Sequence, residues 1–120
     1  MPFAVENLLV YRKAVDFADD VLAATEQFSR GYGFLADQLN RASVSIAANL
    51  AEGNGRFTKP DRKHFFGIAR GSIQECIPLL ELAARRRLID SEYHDRCRAR
   101  LDELGRMLSG LIHGLDKRKV

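Results

Sequence analysis

Residues 34–53 read FLADQLNRASVSIAANLAEG. Wound at about 100° per residue, the stretch sorts into three helical faces. Leu35, Leu39, Ala42, Ile46 and Leu50 form one apolar stripe. Gln38, Arg41, Ser45, Asn49 and Glu52 make a polar row on one side of it, which Arg56 extends if the turn continues. On the other side lie Ala36, Ser43, Val44, Ala47 and Ala51, small and mostly apolar. A surface helix normally carries a broad Lys/Glu face, and this one has none. The helix is therefore expected to be covered on more than one side, with part of that cover coming from a second subunit. The polar row needs partners, so it either hydrogen-bonds in an assembly or faces a ligand. Arg41, Ser45, Ala47, Asn49, Ala51, Glu52 and Gly53 are accordingly the candidate assembly or ligand surface.

The flanking sequence keeps the helical period. Asn7 stands as an N-cap, and Tyr11, Ala14, Val15, Ala18, Val21, Leu22, Thr25 and Phe28 recur at three- and four-residue steps, predicting a helix to about Ser29. SRGYG breaks it. The central helix then runs from near Phe34 to near Gly53, where EGNG terminates it. Thr58 caps a third helix, with Pro60 and Asp61 in its first turn. Its stripe is Phe65, Phe66, Ala69, Ile73, Cys76, Ile77, Leu80, Ala84 and Leu88, with a kink expected at Pro78. The chain reverses near Leu88 and Ile89, and Asp90 or Ser91 opens a fourth helix. Along it Cys97, Leu101, Leu104, Leu108, Leu111 and Leu115 keep a heptad spacing, before it frays into a basic tail from Lys117 to Lys119. Short linkers make consecutive helices antiparallel neighbours. The fold class is thus all-α, an antiparallel up-down-up-down four-helix bundle, with residues 1–120 as one domain.

Composition bounds the function. With 120 residues, 46% hydrophobic and 29% charged, the chain is globular in character. No apolar run reaches the roughly 18 residues of a membrane span. No basic and apolar leader opens the sequence, so a cytoplasmic location is the expectation. The net charge of +3 hides an asymmetry: residues 1–57 hold five basic and seven acidic groups, residues 58–120 fourteen and nine. Two basic groups stand out, Arg56, Lys59, Arg62 and Lys63 around the second loop, and Arg85, Arg86, Arg87, Arg96 and Arg100 at the opposite hairpin. Arginine suits bidentate contacts to phosphate, so these are the candidate nucleic-acid-binding residues. The competing reading is a solvated face in which Asp90, Glu92, Asp95, Asp102 and Glu103 neutralise the arginines.

Catalytic constellations are missing. His64, His94 and His113 form no HExxH, no paired metal site and no zinc spacing with cysteine. No serine lies in GxSxG, and GNGRFTKPD lacks the order of a phosphate loop. Cys76 and Cys97 have no CxxC spacing and fall about a turn out of register across the hairpin, which predicts two core thiols and no disulfide. No enzyme, no metal and no cofactor is expected.

With the central helix laid out, QLNRASVSIAANLAEGNGR at 38–56 resembles the signature of the four-helix-bundle proteins encoded by the intervening sequence of bacterial 23S ribosomal RNA, also called S23 ribosomal proteins. NLLVYRKA at 7–14, GFLADQL at 33–39, IARGSIQE at 68–75 and LGRMLSGLI at 104–112 extend the likeness over almost the whole chain. The resemblance implies a cytosolic homopentamer without known enzymatic activity. The fold is also similar to accessory proteins of diversity-generating retroelements, basic pentamers that engage nucleic acid and a reverse transcriptase. The family motif maps onto Arg41, Ser45, Asn49, Glu52, Gly53 and Arg56 and supplies no agreed role for them. Pro78, RASVSIAAN without the proline that relatives often place after the isoleucine, and the run of arginines at 85–87 depart from the pattern. The expected partners are a second copy of the chain, RNA or DNA, or a partner protein on a scaffold, with no membrane.

Overall fold

The structure, a computed structural model, describes residues 4–117. A 3₁₀ turn, Ala4–Asn7, leads into four helices: α1 (Leu9–Thr25), α2 (Gly33–Asn54), α3 (Lys59–Arg85) and α4 (Ser91–Lys117). They form the all-α bundle expected, each helix packing on its neighbours in order, α1 on α2, α2 on α3, α3 on α4, and α4 back on α1. The α2–α3 pairing is the most extensive and the α1–α4 pairing the least. The expected fraying of α4 beyond Lys117 lies outside the described residues.

The ends of the helices follow local chemistry. Asn7 is not the cap of α1, because it closes the 3₁₀ turn; Leu8 takes the N-cap position without a side-chain bond. The helix also stops at Thr25, not Ser29. Thr25 donates from Oγ1 to the Leu22 carbonyl (3.1 Å) and meets Asn40 Oδ1 of α2 at 2.7 Å, while Gln27 and Phe28 make tighter three-residue bonds that wind the chain out of the helix. Thr58 caps α3 by accepting from the Asp61 N–H at 3.3 Å. Pro78 lies within α3, which continues through it to Arg85. Leu88 N–H bonds the Ala83 carbonyl (2.9 Å) and Arg87 N–H the Ala84 carbonyl (3.0 Å), with Arg87 at φ 61°. That is the Schellman ending, here with arginine where glycine is usual.

One apolar cluster joins all four helices, with Phe17, Phe66, Ile46, Leu80, Leu101, Leu104 and Leu108 among its fully buried side chains. Three stripes differ from expectation. On α1, Val10 and Phe17 are buried while Val15 and Leu22 are exposed. On α3, Ser72, Leu79 and Ala83 join the core, because the helix is sandwiched between α2 and α4 and buries a wider arc than one stripe. On α4, Ile112 is buried and Leu111 only partly. Cys76 and Cys97 are buried free thiols.

Candidate assembly and nucleic-acid-binding surfaces

Ser45 lies at the centre of the polar row. Asn49 Nδ2 donates to its carbonyl and to its Oγ, both at 2.9 Å, and Ser72 of α3 donates to the same Oγ at 2.8 Å. Ser45 and Asn49 are thus satisfied inside the subunit, and Ser45 ties α2 to α3. About two turns beyond Ser45, Gly53 lets the helices approach: a Cβ there would lie 2.7 Å from two ring atoms of Phe66. Gly53 belongs to this seam inside the subunit, not to an outer surface. Glu52 pairs with Arg56 at 2.7 Å, and the Arg56 guanidinium lies 4.5 Å from the Phe65 ring centre. Arg41 remains exposed.

The small-residue side of α2 divides in two. Ser43 and Ala47 are buried within the subunit. They lie on the side from which Asn40 bonds Thr25, so α1 supplies the cover that the sequence assigned to another chain. Ala47 is therefore a core residue. Val44 and Ala48 are exposed, Ala51 partly so. Lys13 pairs with Glu103 at 3.0 Å and Arg100 with Asp20 at 3.1 Å, which places α4 on the opposite side of α1. Val15 and Leu22, 40% and 39% exposed, consequently project on the α2 side, alongside Val44 at 44%.

Most candidate cations are engaged. Arg85 pairs with Glu81 (2.8 Å), Arg96 with Glu92 (3.1 Å) and Lys63 with Asp116 (2.6 Å). Arg62 Nε donates to the Arg56 carbonyl at 2.7 Å, and Arg86 Nε to the Tyr32 hydroxyl at 3.0 Å. Lys59 is not free either. Arg100 is a strut: it bonds Asp20, which also accepts from the Tyr93 hydroxyl at 3.0 Å, and lies 5.3 Å from the Phe17 ring centre. Burial pushes the Tyr93 phenol up. Of the nine candidates, Arg87 alone makes no ion pair or side-chain hydrogen bond among the described residues, and its backbone ends α3.

Sequence reasoning missed Arg70, and it left Arg98, which falls within its arginine-rich hairpin segment, out of the candidate residues. Both are exposed, and neither makes an ion pair or hydrogen bond among the described residues. They line an open groove of about 570 Å³ between α3 and α4, together with Arg106, which Asp102 holds. One signal was available: Arg70 has no acid three or four residues away, so no helical neighbour can neutralise it.

Burial raises the Cys76 thiol to about 12 and raises Cys97 as well, which keeps both protonated and inert at neutral pH. Among the described residues no His, Cys, Asp and Glu cluster could hold a metal. No helix of the described residues is long and apolar enough to cross a membrane.

Comparison with known proteins agrees with this architecture. A structure of a protein of unknown function from the S23 ribosomal protein family of Bacteroides thetaiotaomicron superposes with a TM-score of 0.81 at 22% identity, covering 88% of this chain and 96% of that one. No curated protein matches the sequence. The family described as 23S rRNA-intervening sequence protein matches residues 6–110, nearly the full bundle, and the chain belongs to that family.

Proposed function

We propose that the protein works by assembly and not by catalysis, as a homo-oligomer whose free basic surface engages nucleic acid; five subunits is the number suggested by the family resemblance. The observation that carries the reading is the outer seam of α1 and α2. Val15, Leu22 and Val44 are exposed there beside Ala48 and Ala51. Large side chains left in water on a face of small residues are the mark of a helix-packing surface awaiting a partner.

Light scattering on protein eluted from a sizing column, with absorbance read at two wavelengths, tests both parts. The wild-type protein is expected as an oligomer, with excess nucleic-acid absorbance at low salt that high salt removes. Ala48→Glu and Val44→Glu are expected to give folded monomers; a wild-type monomer, or variants that stay assembled, would reject the seam. Ala47→Glu is no test, because Ala47 is buried in the subunit's own core.

A second reading, a scaffold for a partner protein, is favoured by the pairing of Arg85, Arg96, Arg100 and Lys63 with acids of the same chain. Those cations have less to offer a phosphate. A clean oligomer free of nucleic acid at low salt is its expected signature.

A further inference from the structure

We propose that the groove between α3 and α4 is the phosphate-binding site, and that it holds the backbone of a single nucleic-acid strand. The proposal rests on the nucleic-acid reading above and moves its site from the loop and hairpin arginines to Arg70, Arg98 and Arg106. The Lys63–Asp116 ion pair marks the antiparallel register of the two helices. Arg70 therefore stands near the level of Ser109, Ile73 near Arg106, and Arg98 toward the hairpin end. Ile73, Ile77 and Leu101 line the apolar part of the groove, and the guanidinium groups belong to its walls.

Three features select the occupant. First, the charge is available. Arg70 and Arg98 are unpaired among the described residues, while Asp102, the acid lining the groove, is held by Arg106, and Glu81, further toward the hairpin, is held by Arg85. Guanidinium groups bind phosphate oxygens in pairs of parallel hydrogen bonds. Second, the groove is kept open. A Cβ on Gly105 or Gly110 would meet nothing within 4 Å, so no contact inside the subunit requires glycine at either position. Each costs the helix about 1 kcal/mol relative to alanine, and the lining of the groove is left without side chains at both places. Third, the groove is long. From Arg98 to His113 the lining of α4 runs about 20 Å at 1.5 Å per residue, a length that takes several repeats of an extended strand. The separation of Arg70 from Arg98 along the bundle suits a repeating anion better than one phosphate. No Phe, Tyr or Trp lines the groove, so bases are not stacked and the strand is held without regard to sequence.

Fluorescence anisotropy of a labelled oligo-dT strand with the full chain at about 50 mM salt tests this. In Arg70→Gln/Arg98→Gln affinity is expected to fall at least about tenfold, and the slope of log affinity against log salt to shrink by about 1.4, two phosphates at 0.7 each. Arg96→Gln should change affinity less than about twofold, because Arg96 is already paired with Glu92. Arg70→Lys/Arg98→Lys keeps the charge and should retain most of the salt slope, which separates electrostatic contact from a folding defect. If the wild type binds and the Arg70/Arg98 variant binds equally, the groove is rejected while the nucleic-acid reading survives. If the wild type binds no strand at low salt, both fall. Equal displacement by inorganic phosphate would overturn the strand in favour of a free anion, and equal displacement by polyglutamate would overturn phosphate recognition.

Discussion

Helix α3 meets its neighbours in two opposite ways. Against α2 it is zipped shut: Gly53 lies under the Phe66 ring, and Ser72 reaches Ser45 at 2.8 Å. Against α4 it packs less extensively and borders an open groove, where a Cβ on Gly105 or Gly110 would meet nothing and Arg70 and Arg98 are unpaired among the described residues. The same residue type therefore does contrary things on the two sides. On the closed side glycine permits a contact that any side chain would obstruct. On the open side it preserves a space that the fold does not use.

The strongest way to break the closed side is Phe66→Ala, which empties a fully buried ring site and should lower unfolding free energy by about 3 to 5 kcal/mol in urea denaturation. Gly53→Ala comes next. Its Cβ would press on Phe66, and overpacking of this kind costs about 1 to 3 kcal/mol. The cost should shrink when Phe66 is also replaced by leucine, because the two sites share one contact.

Alkaline titration probes the core that both regions enclose. Burial raises the folded Cys76 thiol from its ordinary value of 9.0 to about 12, so the unfolded chain loses its proton first. Stability is full below about pH 9 and should fall by about 1.4 kcal/mol per pH unit as pH rises toward 12. A thiol reagent at pH 8 should find no reactive cysteine in the native protein and two after denaturation; rapid native labelling would contradict the burial.

On the open side the sign reverses. Gly105→Ala should stabilise by about 0.5 to 1 kcal/mol, since it adds helix propensity and meets no neighbour. A loss of stability there would show that the groove is closed in solution. The smallest effect belongs to Lys63→Met, which removes a half-exposed ion pair with Asp116 and should cost under about 1 kcal/mol, less at high salt.

Much of this bundle was readable from spacing. Thr58, Pro60 and Asp61 announced the start of α3 because capping depends on residues adjacent in sequence. The pairs Glu52–Arg56, Glu81–Arg85, Glu92–Arg96 and Asp102–Arg106 are likewise all four residues apart, so the neutralisation of those arginines was written in the chain. The rotated stripe of α1 was not. Val10 and Phe17 fit the helical period no better than Val15 and Leu22, and the packing of α2 and α4 against α1 decided which pair went inside.

The sequence by itself determined four helices, their order and most of their ends, and the family to which they belong, because periodicity and caps act within a few residues. Only the tertiary structure decided that α1 covers Ser43 and Ala47, that Ser45 and Asn49 close on Ser72, and that Arg100 and Lys63 are tied to Asp20 and Asp116 while Arg70 and Arg98 are not. Those outcomes depend on the register and rotation of helices whose partners lie tens of residues away. Register is set by the packing of whole faces, and no local pattern carries it.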